Sequence, residues 1–209
     1  MVCGRLGEVL CAWCRAELPL LRGPRCARCG APTAWPVARC LECAGRRLAF
    51  ASARAAVAYL GPVRPLVAAW KERGLRHLAE EAANVIANSV ERPCVDALAF
   101  APADGDRSVK RGHHPAERLA CELGSRWELP VIGALGRTRA PRPQRGLTLP
   151  ERRRNVAGSF VAVAEVPSRV GLVDDVFTTG ATAAAASSAL RRAGATNIAV
   201  VTFARAIRQ

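Results

Sequence analysis

The sequence predicts an α/β protein: a parallel sheet flanked by helices, preceded by a small cysteine-rich module that binds metal. Three observations carry this expectation. From residue 55 onward, apolar runs of strand length alternate with segments whose apolar residues recur at helical spacing. One of the runs, Val170-Gly171-Leu172-Val173, leads through two adjacent acids and a Thr/Gly-rich turn into an alanine-rich stretch, a strand–turn–helix unit. Seven of the nine cysteines lie before residue 45. The expected division is a metal-binding module at 1–47 and an α/β domain at 48–209.

The cysteines form three Cys-x-x-Cys pairs, Cys11/Cys14, Cys26/Cys29 and Cys40/Cys43, with Cys3 ahead of them. A two-residue spacer lets both sulfurs face one metal, and two such pairs complete a tetrahedral site. The surrounding segment is short and rich in Gly and Pro, so metal binding would supply its folding free energy. With no His or carboxylate offering an open position, the expected metal is a closed, structural zinc. No basic stretch followed by a hydrophobic segment opens the chain, and no apolar run approaches the ~20 residues that span a bilayer. The expectation is a cytoplasmic protein whose thiols serve metal rather than disulfides.

The elements follow in order. Residues 55–60 read as a strand. A helix begins after Pro62, where Val63, Leu66, Val67 and Trp70 recur on one face. A second helix spans 75–91 and stops before Pro93. Strands are expected at 95–101, 131–135, 159–163, 170–173 and 198–204. Helices are expected at 115–127 and 181–193, the latter ending at Gly194 as helices often do.

The segment after residue 173 is the most informative one. Asp174 and Asp175 precede a turn carrying Thr178, Thr179, Gly180, Ala181 and Thr182, and the helix starts within it. A helix N-terminus, backbone N–H groups and three hydroxyls suit a phosphate, and a glycine lets the backbone approach it. The acids would repel phosphate, so they are assigned to a sugar diol, whose hydroxyls donate to carboxylates. Phosphate beside a ribose diol is a phosphoribosyl group. In open parallel sheets such ligands sit beyond the carboxyl ends of the strands, where this turn falls.

Two basic loops are expected at the same edge. Residues 102–114 carry Arg107, Lys110 and Arg111, with His113 and His114; residues 137–155 carry Arg137, Arg139, Arg142, Arg145, Arg152, Arg153 and Arg154, with Gln144 and Asn155. Their position suits them to neutralise a pyrophosphate. The formal charge of +14 rests almost wholly on arginine, Lys71 and Lys110 being the only lysines, and it favours polyanionic partners.

The run 169–182 resembles the phosphoribosyl-pyrophosphate loop of type I phosphoribosyltransferases. The wider order of motifs is similar to the ComF family: Tyr-Leu-Gly-Pro-x-x-x-Leu-x-x-x-x-Lys at 59–71, Pro-x(8)-Arg-Gly at 102–112, Ala-Glu-x-Leu-Ala at 116–120, a Pro-Gln-x-x-Leu loop from 143, Arg-x-x-Asn-Val-x-x-x-Phe at 152–160, and the Asp-Asp…Thr-Thr-Gly turn. The resemblance covers essentially the whole chain. It departs where the family reads Arg-Gly-Phe-Asn-Gln and this chain has Arg111-Gly112-His113-His114-Pro115. Purine-salvage relatives carry an acidic general base where Thr178 stands here, which leaves the catalytic base unassigned.

The resemblance implies a type I phosphoribosyltransferase-like domain behind a zinc ribbon. It implies that Asp174 and Asp175 bind the ribose diol of phosphoribosyl pyrophosphate and Thr178–Thr182 its 5′-phosphate, with Mg²⁺ accompanying the substrate. Arg107, Lys110 and Arg111 would take pyrophosphate, and Arg142, Gln144, Arg152 and Asn155 would lie in the loop that closes over it. The cysteine module resembles a double zinc ribbon whose four knuckles alternate. That pattern implies one zinc on Cys11, Cys14, Cys40 and Cys43. It leaves a partial site of Cys3, Cys26 and Cys29, whose fourth ligand would lie upstream of Met1. Neighbouring pairs Cys11/Cys14 and Cys26/Cys29 sharing one metal is the competing assignment.

The expected function is phosphoribosyl transfer to an unassigned acceptor, linked to the handling of incoming single-stranded DNA and DNA-uptake proteins in natural competence. The alternative is a non-catalytic, zinc-containing single-stranded DNA adaptor or a sensor of phosphoribosyl pyrophosphate.

Overall fold

In a computed structural model, residues 10–72, 77–102, 114–138 and 158–207 are described. Cys11 stands just inside the first of these segments. Its thiol accepts the Cys14 backbone N–H at 3.5 Å and so caps a one-turn helix, α1, Ala12–Ala16. The chain then reaches β1 (Ser52–Ala58), α2 (Val63–Glu72), α3 (His77–Ser89), β2 (Ala97–Phe100) and α4 (Pro115–Trp127). After these come β3 (Val131–Ile132), β4 (Leu135–Arg137), β5 (Phe160–Ala162), β6 (Arg169–Phe177), α5 (Ala181–Arg192) and β7 (Asn197–Arg205).

Five strands form one sheet in the order β1-β7-β6-β2-β3, every neighbouring pair parallel. The expected α/β class, a parallel sheet flanked by helices, is the one that forms. Crossovers between parallel strands are right-handed. The steps from β1 to β2 and from β2 to β3 run one way across the sheet, whereas the step from β6 to β7 runs the other way. A right-handed path therefore lays α2, α3 and α4 on one face and α5 on the opposite face.

Side-chain alternation along the strands sorts the core accordingly. Leu98, Val173, Val201 and Phe203 join the helical face, where they pack with Val63, Leu66, Trp70, Ile86, Leu119 and Leu123. Ala99, Leu172, Val200 and Ile198 join the other face, with Ala186 and Leu190 of α5, Phe50 and Phe160. Trp70 is fully buried and meets Phe203 edge-on, ring centroids 6.4 Å apart.

Three expected strands differ in detail. The run 131–135 is two elements: the chain leaves the main sheet after Ile132, and Leu135–Arg137 pairs antiparallel with Phe160–Ala162 instead. The strand expected at 159–163 is thus part of a separate two-stranded ribbon. The strand expected to end at 173 continues through both acids to Phe177, because β7 runs beside it as far as the Phe177–Arg205 pair. No helix among the described residues is long and apolar enough to cross a membrane.

Candidate functional site

The order of the sheet creates one special crevice. Connections leave β2 in one direction and β6 in the other, so the adjacent carboxyl ends of these two strands diverge. Asp174 and Asp175 sit at that end of β6, and the turn 178–180 leads directly into α5.

Asp175 is buried, and its Oδ1 accepts from Lys71 Nζ at 2.7 Å. Lys71 comes from the last turn of α2, on the helical face. Burial alone would lower the Lys71 ammonium; Asp175 and Asp174 outweigh it and hold it above its usual value. Asp174 is half-buried, and its Oδ1 accepts the Asp175 backbone N–H at 2.9 Å. Loss of solvent and the neighbouring Asp175 charge raise its carboxyl from 3.8 to about 7, against the opposing pull of Lys71, the Asp175 N–H and Arg137. Two adjacent acids thus differ: one is tied to a lysine, the other titrates near neutrality.

The turn is shaped by its glycine. Gly180 has φ +71°, and a Cβ there would lie 2.5 Å from the Phe177 ring. No other residue fits both the backbone and the ring. Thr178 is exposed; Thr179 is buried, and its hydroxyl accepts the Ala181 N–H at 3.3 Å. Ala181 and Thr182 form the first turn of α5, a 12-residue helix whose positive end faces the crevice mouth. The structure brings Asp174, Asp175, Thr178, Thr179, Gly180, Ala181 and Thr182 together at one strand end. Arg107, Lys110 and Arg111, and also Arg142, Gln144, Arg152 and Asn155, lie outside the described residues.

Two residues that the sequence did not single out for the site belong to it. Lys71 is one; its only signal was being one of two lysines in an arginine-rich chain, at the end of the Tyr-Leu-Gly-Pro motif. Arg137 is the other, noted in sequence only as one loop arginine among several. Its Nε donates to the Pro102 carbonyl at 2.8 Å and its guanidinium lies 4.5 Å over the Phe160 ring, which fixes it beside the end of β2.

The cysteines require a correction. The grouping that forms is Cys26, Cys29, Cys40 and Cys43, whose sulfurs all lie within 4.8 Å of one another. The expected sets, Cys11/Cys14 with Cys40/Cys43 and Cys26/Cys29 with Cys3, do not form among the described residues; Cys3 lies outside them. Neither does the competing set of Cys11/Cys14 with Cys26/Cys29. The reason is the sheet. Cys11 and Cys14 pack with Leu18, Ala56 and Val57 on the helical face, whereas Cys26, Cys29 and Cys43 pack on the face of α5.

The four grouped thiols fit zinc. Sulfur separations of 3.4 Å (Cys29–Cys40), 3.6 Å (Cys26–Cys43) and 3.9 Å (Cys40–Cys43) bracket the ~3.8 Å edge of a tetrahedron with ~2.3 Å zinc–sulfur bonds. The Cys40 N–H points at Cys26 Sγ, 3.3 Å away. Burial pushes the Cys26 thiol up, but backbone N–H donors of Cys29, Cys40 and Arg28 with the Cys43 thiol outweigh it and hold it at about 6. Burial pushes the Cys29 and Cys43 thiols up. Cys26, Cys29, Cys40 and Cys43 can hold a structural metal; their closed S4 set leaves it no open position for chemistry.

Comparison with known proteins finds a similarity that runs over most of the chain. It is 29% identical over 210 residues to Competence protein F of Haemophilus influenzae, a match covering 94% of this chain and 90% of that protein. No family model matches the chain.

Proposed function

We propose, from the similarity to Competence protein F together with the site, that the chain serves natural competence as a phosphoribosyltransferase-family protein that binds phosphoribosyl pyrophosphate with Mg²⁺. One observation carries the reading: an acid pair and a Thr/Gly turn capping a helix meet at the switch point of a parallel sheet. The α5 N-terminus and the hydroxyls of Thr178, Thr179 and Thr182 take the 5′-phosphate. The ribose diol donates to the acids.

Within the pair the roles divide. Lys71 locks Asp175 and neutralises it, so Asp175 holds the strand end rigid. Asp174 is the acceptor presented to the diol, and it must be ionised to serve. Lys71 and Arg137 keep positive charge beside the acids, where a departing pyrophosphate needs it. Arg107, Lys110 and Arg111, with Arg142, Gln144, Arg152 and Asn155, supply the remaining pyrophosphate contacts. Mg²⁺ is held mainly by substrate oxygens and adds charge neutralisation. Transfer breaks the bond from the anomeric carbon to pyrophosphate and forms one to an acceptor nucleophile. Fixed charges that favour a cationic sugar and a polyanionic leaving group supply the catalysis. The +14 charge suits an acceptor or partner that is itself polyanionic, as single-stranded DNA is.

The test is a thermal-shift measurement with phosphoribosyl pyrophosphate and Mg²⁺. The wild type should gain melting temperature with ligand concentration by mass action. Asp174→Asn with Asp175→Asn should fold and gain nothing. An equal gain in both proteins would sink the assignment of the acids.

A further inference from the structure

One fully buried cation lies outside the site described above. Arg205, the last residue of β7, is only 2% exposed. Its Nη1 donates to the Cys29 carbonyl at 2.7 Å, and its Nη2 donates to the Glu42 carboxylate at 2.8 Å and lies 3.8 Å from Cys29 Sγ. Glu42 stands between Cys40 and Cys43 in the chain. The guanidinium also lies 4.7 Å over the Phe177 ring. Phe177 is the ring that Gly180 must clear, so Arg205 joins the cysteine cluster to the floor of the turn.

A second guanidinium makes a parallel link. Arg46 follows Cys43 by three residues; its Nη2 donates to the Thr179 carbonyl at 2.9 Å and its Nη1 to the Glu42 carbonyl at 3.4 Å. Both arginines therefore grip the Cys40–Cys43 knuckle at Glu42, one by its carboxylate and one by its carbonyl. Each then reaches a different residue of the turn region. Four thiolates around a divalent cation leave two net negative charges, which suit the cationic Arg205 and Arg46 beside them. A buried guanidinium is costly unless paired, so the knuckle and Arg205 hold each other in place.

We propose that Arg205 is a positioning residue which, with Arg46, transmits the metal-loaded state of the four-cysteine cluster to the phosphate turn at 178–182. The proposal rests on reading that turn as the 5′-phosphate cradle. Loaded, the knuckle holds Phe177 and the Thr179 carbonyl so that the turn stands preformed. Stripped of metal, the knuckle releases both arginines. The turn then has to be ordered by its ligand, which lowers the affinity.

The experiment uses the full chain, zinc-loaded and chelator-stripped, with two readouts. Hydrogen exchange of peptides covering 177–184 reports the turn without any ligand. Calorimetry with phosphoribosyl pyrophosphate and Mg²⁺ reports affinity. Stripping should speed exchange in the turn by about ten- to a hundredfold more than in α4, the worth of one charged hydrogen bond. Arg46→Met, a less buried change than Arg205→Met, should do the same while elemental analysis finds zinc retained. Arg205→Lys should recover part of the protection that Arg205→Met loses. Affinity should fall by a similar factor in the Arg46→Met and Arg205→Met proteins. Unchanged exchange in the turn after stripping, or wild-type protection and affinity in Arg46→Met, would overturn the proposal. If the turn responds to metal but no protein binds the ligand, the coupling of the metal to the turn stands and the phosphoribosyl reading falls. Equal affinity with and without metal sinks the proposal alone.

Discussion

The two faces of the sheet are built differently. The helical face is an ordinary apolar core: Trp70, Leu66, Ile86, Leu119 and Leu123 from three helices close over Leu98, Val173 and Phe203. The opposite face has one long helix, α5, whose inward residues are mostly alanine, and its remaining cover is the cysteine cluster with Phe50 and Phe160. Alanines bury little area, and on that face the grouped thiols, the Arg205–Glu42 pair and the Arg46 contact with the turn tie distant segments together. The comparison teaches that one sheet can be covered by large apolar side chains on one side and, on the other, by small ones beside a thiol cluster able to hold a metal. Both sides reach the acid pair and its turn, Lys71 from the first and the two arginines from the second.

The largest expected effect breaks the face that carries the thiol cluster. Cys40→Ser with Cys43→Ser should lose the zinc, about one per chain, since two thiols cannot close the site. It should also melt the protein far lower, because metal binding is folding free energy for so small a module. Chelation of the wild type should reproduce this. Leu119→Ala, on the other face, should cost about 2–5 kcal/mol as a core truncation. Its zinc content and its response to chelator should stay those of the wild type. Zinc retained in the double serine variant, by elemental analysis, would mean the grouping of Cys26, Cys29, Cys40 and Cys43 is not the metal site.

A smaller effect sharpens the same contrast with cysteines alone. Cys11→Ser with Cys14→Ser should keep the zinc at full occupancy. Each buried hydroxyl replacing a thiol in the apolar face should cost about 1–3 kcal/mol. Denaturant melts with parallel metal analysis distinguish the two knuckles. A zinc content falling below that of the wild type would show that Cys11 and Cys14 are ligands after all.

The smallest effect concerns the point where the faces meet. The native carboxyl of Asp174 titrates at about 7, above the 3.8 of an ordinary aspartate. The folded protein therefore holds a proton that the unfolded chain releases. This group's contribution to stability falls as pH rises from about 4 to about 7 and is level above that. Asp174→Asn, which keeps the Oδ1 that accepts the Asp175 N–H, should remove the slope and be the more stable protein at pH 8. Affinity for phosphoribosyl pyrophosphate in the wild type should rise over pH 6 to 8 as the acceptor ionises. Parallel pH slopes of melting temperature in the two proteins would show that Asp174 does not titrate there.

The sequence by itself determined the alternation of strands and helices, the βα unit at 169–192 and the capacity of each Cys-x-x-Cys pair to face a metal. These are local properties, set by apolar period, turn chemistry and spacer length. Gly180 was readable as a close-approach glycine, though not the ring that it clears. Only the tertiary structure decided which cysteine pairs meet. Cys11/Cys14 and Cys26/Cys29 have the same spacing, and the difference between them is the face of the sheet on which each one packs. Tertiary structure likewise brought Lys71 to Asp175 and Arg205 to Cys29, contacts that span 104 and 176 residues. A local pattern carries no information about such distant partners. They follow from strand order, and strand order is fixed only when every face has found its cover.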